Sequence, residues 1–306
     1  MRITNVMKSR RPSFSLEFFP PKSDQDTAEL FQMLREIKHL DLSSISVTYG
    51  AGGGTRDRTL QIVEEAKTKF GLESAAHLTC VGHSITEIKE ILDEIVRTGV
   101  DNVVALLGDP PRGQARFIPH PNGFRHASEL TAFIRKSYPL CIAVAGYPEG
   151  HIEAPNKNTD WACLEDKVQA GADLIITQLF FENEYFFQFE KHMRDRGVSI
   201  PIIPGIMPIT NFQQTLRITR FCGATIPSAV EADLEAIKDE PELVQRYGIE
   251  LATKQCRDLL AHGVPGIHFY TLNKSKATRE IIGSLEKSMR LDPCSGHSIA
   301  ENRTMS

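Results

Sequence analysis

The chain has 306 residues, of which 41% are apolar and 24% charged, and its formal net charge is −4 at neutral pH. These values are ordinary for a globular protein, and the length suits one large domain. Lys and Arg are scattered, and apolar runs do not exceed the length of a strand. We therefore expect no nucleic-acid partner and no membrane-spanning segment.

The six cysteines form no C-x-x-C pair, and three of them lie in or beside apolar runs, where buried thiols are common. We therefore predict a reduced, cytoplasmic protein with no disulfide framework and no metal site. The positions are Cys80, Cys141, Cys163, Cys222, Cys256 and Cys294.

Both ends of the chain differ from its middle. Residues 1–12 are basic and carry no apolar signal core, so we interpret them as a free arm before the first strand. Residues 13–290 contain no linker or low-complexity stretch and are predicted to be one domain. Residues 291–306 are Ser-rich and lose periodicity, which predicts a disordered tail.

The middle of the chain repeats one sequence pattern. A short, β-rich apolar run ends at a polar side chain or at an abrupt Gly or Pro turn. The eight runs are Phe14–Phe19, Ile45–Tyr49, Ala75–Thr79, Val103–Leu107, Ile142–Tyr147, Leu174–Phe181, Ile202–Ile209 and Ile267–Leu272.

The polar groups in or after these runs keep a regular spacing. The first six, Glu17, Thr48, His77, Asp109, Tyr147 and Gln178, lie 31, 29, 32, 38 and 31 positions apart by subtraction. That is the length of one strand–helix unit, and eight units close a (β/α)₈ TIM-type barrel whose active site lies at the carboxyl ends of the strands. From the spacing alone, a doubly wound α/β sheet stays open as the alternative.

Amphipathic helical patterns lie between the runs. Ser84 and Glu87 form a capping box before an apolar stripe, and Gly99 ends that helix. The unit between Ile209 and Ile267 is long enough for extra helices. We predict that one begins at Pro227-Ser228 and that another spans 241–261.

Glu17 is the sharpest chemical signal. Strand alternation places it on the opposite face from Leu16 and Phe18, toward the lumen of a barrel. A carboxyl group there must raise its pKa or find a partner. A raised pKa suits a general acid, whereas a partnered carboxylate suits a structural ion pair with Lys or Arg at the barrel mouth. The residue alone does not decide between them.

The other candidates are weaker one by one. Asp109 follows Gly108 at a strand exit and suits either ligand contact or a turn, and His77 suits either a core hydrogen bond or a site. The Gly-rich loop at 50–57 could receive phosphate or ring oxygens, or form only a tight turn. Gln178 could bind a polar substrate, and Phe212 could stack on a planar ligand or pack in the core.

Taken together, the motifs resemble the methylenetetrahydrofolate reductase family. Eight short motifs occur in the order of that family and cover nearly the whole predicted barrel. They are Leu16-Glu-Phe-Phe-Pro-Pro21, Val47-Thr-Tyr-Gly50, His77-Leu-Thr-Cys80, Gly108-Asp109, Ala145-Gly-Tyr-Pro148, Ile176-Thr-Gln178, Ile203-Pro-Gly-Ile206 and His268-Phe-Tyr-Thr-Leu-Asn273.

The resemblance implies an FAD-dependent barrel that reduces 5,10-methylenetetrahydrofolate to 5-methyltetrahydrofolate with NADH or NADPH in a ping-pong mechanism. Glu17 would be the general acid, Asp109 would contact the pterin, and Gln178 and Phe212 would hold the folate and, in turn, the nicotinamide. The positions matched to substrate contacts are Glu17, Thr48, Asp109, Gln178, Phe212, Tyr270 and Lys274. Those matched to the surroundings of FAD are Thr48, Tyr49, Ala51, His77, Leu107, Gly108, Asp109, Ala127, Tyr147, His151, Asp160 and Lys167.

Two positions depart from the family pattern. Leu107 stands where the family usually has Arg, which removes a charge beside the flavin. Lys167, Arg58 and Arg116 are the candidates to replace it. Lys274 also stands where many members carry Arg, so it would meet the folate glutamate without a bidentate fork.

The resemblance leaves other properties to expectation. We expect a homo-oligomer, and no feedback through S-adenosylmethionine by a C-terminal domain. The choice between NADH and NADPH stays open. The alternatives are a flavin-free folate-binding barrel in one-carbon transfer and a catalytically inactive subunit, although the retained Glu17 speaks against the latter.

Overall fold

The structure is a computed structural model that describes residues 1–49, 56–109 and 117–291. Eight parallel strands pair in chain order and close into a barrel, in which β1 meets β8. The strands are β1 (Ser13–Phe18), β2 (Leu42–Val47), β3 (Ser74–Thr79), β4 (Asn102–Leu106), β5 (Cys141–Gly146), β6 (Leu174–Leu179), β7 (Ile202–Ile206) and β8 (Gly266–Tyr270). The predicted TIM-type barrel is confirmed, and the doubly wound sheet is excluded.

Helices alternate with the strands around the outside of the barrel. They are α1 (Ile3–Ser9), α2 (Asp24–Ile37), α3 (Arg56–Phe70), α4 (Ile85–Arg97), α5 (Ala127–Ser137), α6 (Lys157–Gln169), α7 (Asn183–Asp195), α8 (Phe212–Cys222), α9 (Ser228–Ile237), α10 (Pro241–His262) and α11 (Ser275–Leu291). The capping box of Ser84 and Glu87 starts α4 as predicted. The extra helices between the last two strands are α9 and α10, which begin where the sequence predicts.

The strands divide their side chains between two environments. Leu16 and Phe18 are at most 1% exposed and join the large apolar core between the barrel and its helices. Glu17, between them, points the other way. The register aligns Glu17 with Tyr270 on one side and with Ser46 on the other, so polar groups of neighbouring strands share the lumen.

The amino-terminal segment is not a free arm. Residues 3–9 form α1, whose Ile3 and Met7 are buried against strand residues at the amino-terminal end of the barrel. The Ile3 amide donates to the Asn102 side chain over 2.7 Å. Because Ile3, Val6 and Met7 share one helix face, folding this turn removes apolar surface from water and covers the barrel floor.

Some predictions lie outside the described residues. Ala51, most of the Gly-rich loop, Arg116 and residues 292–306 of the predicted tail belong to this group. In the described part of the chain, no helix has both the length and the apolar character needed to cross a membrane.

Candidate active site

Glu17 lies in the barrel lumen near the carboxyl end of β1, with 14% of its side chain exposed. Its Oε2 is 3.4 Å from His268 Nε2, on β8. His77 Nε2, on β3, is 3.2 Å from the same oxygen, but its geometry falls short of a hydrogen bond. The carboxylate therefore has two imidazole partners within the described structure, rather than the Lys or Arg that an ion pair at the mouth would use.

The pKa of Glu17 is shifted downward, whereas one of the two expectations from the sequence was a raised pKa. Burial of the carboxyl group opposes its ionisation, but His77 and His268 outweigh burial and lower the pKa of Glu17 to about 2. A raised pKa is therefore wrong for the free protein, in which Glu17 is an anion. To act as an acid, Glu17 must first take up a proton from a neighbouring group or from solvent.

The lowered pKa predicts a measurable loss of stability in acid. Since the folded pKa lies below the ordinary 4.5, ionised Glu17 stabilises the fold above that pH, and this contribution disappears as pH falls toward 2. By pH 3 we expect the wild-type protein to lose about 2 kcal/mol more unfolding free energy than Glu17→Gln. Urea unfolding of both proteins at pH 6 and pH 3 measures this, and an equal loss in both would contradict the assignment.

Residues after β8 fix the backbone around Glu17. The Thr271 hydroxyl and amide both reach the Glu17 carbonyl, at 2.6 and 3.3 Å. The Asn273 side chain accepts from the Phe19 amide at 2.8 Å and donates to the Phe19 carbonyl at 3.0 Å. Leu272 and Asn273 have φ of 50° and 56°, a conformation costly for Leu. These bonds tie the exit of β8 to the strand that carries the carboxylate.

Tyr270 connects the Glu17 environment with the rest of the lumen. Its hydroxyl donates to the Thr177 carbonyl over 2.7 Å, and its ring lies against Gly205, where a Cβ atom would come within 2.6 Å of the ring. Burial, the Glu17 charge and Tyr147 all raise the pKa of the Tyr270 phenol. Both Glu17 and Tyr147 therefore act electrostatically on the Tyr270 phenol.

A second group of candidates gathers after β5 and on α6. The Tyr147 and His151 rings meet edge to face, with centroids 4.7 Å apart. Lys167 Nζ donates to the Ala145 carbonyl over 2.6 Å, and within the described residues it has no ion pair. Burial lowers the pKa of Lys167 to about 8 despite the nearby Asp160. A half-buried cation whose described hydrogen bond goes only to a carbonyl suits an anionic ligand.

At the exit of β4 the backbone of Gly108 packs closely against side chains at the exit of β3. Gly108 has φ of +90°, and a Cβ atom there would lie 2.8 Å from side-chain atoms of Thr79 and Val81. The buried Thr79 hydroxyl has no partner among the described residues. The next helix, α5, begins at Ala127 without a side-chain cap, which leaves amide donors of its first turn for an anion.

This donor set suits an anionic, phosphate-bearing ligand. Lys167 supplies a cation, and the amino end of α5, which has no side-chain cap, supplies amide donors. A profile of the family described as "Methylenetetrahydrofolate reductase" matches residues 2–286. The chain belongs to the methylenetetrahydrofolate reductase family.

Relatives within this family are both eukaryotic and bacterial. The chain is 41% identical over 295 residues to methylenetetrahydrofolate reductase (NADH) 1 of Arabidopsis thaliana, which covers 93% of this chain and 50% of that protein. It is 34% identical to the 5,10-methylenetetrahydrofolate reductase of Escherichia coli, which covers 89% of this chain and 90% of that one. The chain thus spans about half the length of the plant relative.

A solved structure supports the fold. A protein from Clostridium thermocellum, whose description says that it binds two copies of 5-methyl-5,6,7,8-tetrahydrofolic acid, superposes with a TM-score of 0.62. It covers 94% of this chain and 100% of its own, at 16% identity. At that identity the likeness shows a shared barrel architecture.

The remaining residues matched to the reductase family lie around the same barrel mouth. Thr48 and Tyr49 follow β2, where the Tyr49 hydroxyl is 3.2 Å from His83 Nε2. Gln178 is half-buried on β6, and its side chain accepts from the Leu179 amide over 2.8 Å. Lys274 is exposed at the edge of a groove of about 480 Å³ that is also lined by Gln245. Asp109 is exposed and is the last described residue of the segment that follows β4.

Two residues occupy places that the family comparison alone does not indicate. Phe212 is only 3% exposed and packs in an apolar cluster with Leu179, Met207 and Leu234, so in this conformation it presents no stacking surface. Arg58, a candidate to replace the charge missing at Leu107, instead donates to the Pro21 carbonyl over 3.0 Å.

Sequence reasoning gave no role to His268, Ser15, Thr271 or Asn273. The signal was present in the alternation of β1 and β8: Ser15 and Glu17 share one face of β1, and His268 and Tyr270 share one face of β8. This signal can be interpreted only when it is known that β1 pairs with β8 and that Ser15 lies opposite His268 in the register.

Proposed function

We propose that this protein reduces 5,10-methylenetetrahydrofolate to 5-methyltetrahydrofolate, with FAD as cofactor and NADH or NADPH as electron donor. The observation that carries the proposal is the position of Glu17, a carboxylate at the barrel mouth of a chain that belongs to this family. The plant relative is named for NADH, which makes NADH the first donor to test.

The chain's own residues supply acid chemistry and positioning. Glu17, once protonated, delivers its proton to the amine nitrogen of the methylene bridge. The carbon–nitrogen bond opens, the nitrogen keeps the proton, and the methylene carbon becomes an electrophilic iminium that accepts a hydride. When bound, FAD supplies that hydride after taking it from the nicotinamide. Asp109 and Gln178 would orient the pterin, and Lys274 would pair with the glutamate carboxylate at the groove.

The cradle described above favours a flavin over a flavin-free barrel. Lys167 and the amino end of α5 would serve the diphosphate of a dinucleotide. A folate alone, whose glutamate is assigned to Lys274, would leave the half-buried Lys167 without an anion. We further propose that nicotinamide and folate use one shared site in turn, since the polar strand ends converge on a single mouth.

Cofactor content tests this proposal. We expect purified protein to be yellow, to release FAD on denaturation and, after stripping, to bind added FAD. A colourless protein that neither releases nor binds FAD, yet binds folate, would establish the flavin-free alternative.

Leu107 gives a specific prediction for flavin affinity. Its side chain is half-buried against the apolar core, and its carbonyl accepts from the Cys80 and Val81 amides at 3.1 and 3.2 Å. Leu107→Arg would add a cation beside the flavin and should tighten FAD by about tenfold. Fluorescence titration of the stripped proteins measures it, with Leu107→Met as the uncharged control. Equal dissociation constants for all three would remove Leu107 from the cofactor site.

A further inference from the structure

The loop that follows β5 carries one side of the candidate cofactor site. It contains Tyr147 and His151 and leads into α6, which bears Lys167. The His151 ring lies edge to face against Tyr147, and its Nδ1 accepts from the Glu153 amide over 3.1 Å. The positions of these side chains therefore depend on how the loop itself is fixed.

Glu149, which lies in the same loop, joins it to the turn between α8 and α9. Both of its carboxylate oxygens accept from the Thr225 amide at 3.1 Å, across 76 positions of the chain. Glu149 is half-buried. Burial raises the pKa of its carboxyl group, and the bonds to Thr225 oppose that rise because they favour the anion. The Thr225 amide is thus the donor that stabilises this carboxylate.

A second contact joins the same loop to the same turn. Gly223 follows the last residue of α8 and has φ of +74°, which favours glycine. The atom nearest to the position that a Cβ atom would take at Gly223 is Ile152 Cβ, at 3.4 Å. Because Glu149 precedes His151 and Ile152 follows it, residues 223–225 hold the loop on both sides of His151.

Glu149 is unsuited to bind the cofactor directly. Its charge has the same sign as the phosphate groups that Lys167 and the amino end of α5 would attract, so it would repel them. Removing its charge alone would therefore strengthen FAD binding, whereas releasing the loop would weaken it. These two effects have opposite signs, so an experiment can separate them.

We propose that Glu149 is a positioning residue for the cofactor, which holds the loop of Tyr147 and His151 against the α8–α9 turn through its bond to Thr225; this rests on the proposed function. The bond fixes the loop before FAD arrives, so less conformational entropy is lost when FAD binds. Glu149 thus acts on FAD through His151 and Tyr147 and makes no contact of its own with the cofactor.

Fluorescence titration of stripped protein with FAD tests this role. Glu149→Ala removes the acceptor, and we expect the dissociation constant to rise by roughly fivefold, as for the loss of one hydrogen bond. Glu149→Gln loses the charge but keeps an oxygen that can accept from Thr225, so it should bind FAD at least as tightly as wild type does. Glu153→Ala is the matched control, because it removes an exposed carboxylate from the same loop and leaves the bond to Thr225 intact. It should not weaken FAD binding.

Unchanged or tighter FAD binding in Glu149→Ala would overturn the proposal, and so would equal weakening in Glu149→Ala and Glu149→Gln. Hydrogen exchange followed by mass spectrometry gives a second readout that needs no FAD. Residues 148–156 and 223–227 should exchange faster in Glu149→Ala than in wild type, and at the wild-type rate in Glu149→Gln. Wild-type protein that takes up no FAD would refute the proposed function and the cofactor role of Glu149 with it. Equal exchange in Glu149→Ala and wild type would refute the role of Glu149 and leave the proposed function intact.

Discussion

Replacing Glu17 by Gln should separate the two halves of the reaction. Gln has nearly the same shape and can still contact His77 and His268, but it delivers no proton. We expect folate reduction to fall by ~10²–10⁴-fold, the usual contribution of a positioned acid. The oxidation of NADH by bound flavin should change little, because that step needs no proton on a folate nitrogen. Anaerobic stopped-flow absorbance measures each half separately.

Two further variants test whether the loss is due to the missing acid or to a disturbed backbone. Glu17→Asp keeps the acid but shortens its reach, so it should retain part of the folate reaction. Asn273→Ala keeps the acid and removes the side chain that binds the Phe19 backbone. It should lower folate reduction less than Glu17→Gln does. If Glu17→Gln slowed both halves equally, Glu17 would be a structural residue.

Replacing Phe212 by Ala should have a large effect on stability. The ring is 3% exposed in the cluster that includes Leu179 and Leu234. Truncating a buried Phe to Ala costs about 3–5 kcal/mol, from lost burial and from the cavity left behind. Urea unfolding should show that loss, and Leu234→Ala, in the same cluster on α9, is the control with a comparable cost.

Phe212→Leu then distinguishes packing from ligand stacking. Leu keeps most of the apolar volume, so the fold should survive with a smaller cost. If the ring swings out of the cluster to cover a bound substrate, as its family position implies, Phe212→Leu should raise the KM for folate and for nicotinamide together, while Leu234→Ala raises neither. Unchanged KM values in Phe212→Leu would assign the ring to the core alone.

The barrel was predictable because its signal is local and repeated. Each unit carries a strand-length apolar run followed by an amphipathic helix, and a parallel sheet allows few ways to connect them. Glu17 was predictable for the same reason, since strand alternation separates it from Leu16 and Phe18. Several strand ends differ from the predicted runs by one to three residues. At β2 the buried Ser43 and Ser44 extend the strand back to Leu42 although their side chains are polar.

The direction of the Glu17 pKa shift was not predictable. It depends on His268, which is 251 positions away along the chain, and on His77. The sequence indicates that Glu17 is buried but does not show which groups lie beside it. The fold places the imidazoles of His77 and His268 there. The contact of Ser15 with His268 likewise depends on the pairing of β1 with β8, which closes the barrel.

Two further features were missed because their signals are short or ambiguous. The apolar face of α1 contains only Ile3, Val6 and Met7, less than the length at which a helical period stands out. Phe212 follows a strand exit, a position that suits a ligand contact, yet the extra helices α9 and α10 build an apolar cluster over it.

We propose above all that nicotinamide and folate bind in turn at one site in the barrel mouth, and that a hydride is transferred there to the methylene carbon of the folate. The most direct measurement is a single turnover in two stages. FAD-loaded protein is first reduced with NADH, freed of nicotinamide by rapid gel filtration, and then mixed anaerobically with 5,10-methylenetetrahydrofolate. We predict that the flavin absorbance returns and that one equivalent of 5-methyltetrahydrofolate forms for each reduced flavin. Reduced protein that stays reduced in the presence of folate, or that reacts only while NADH is still bound, would contradict this account.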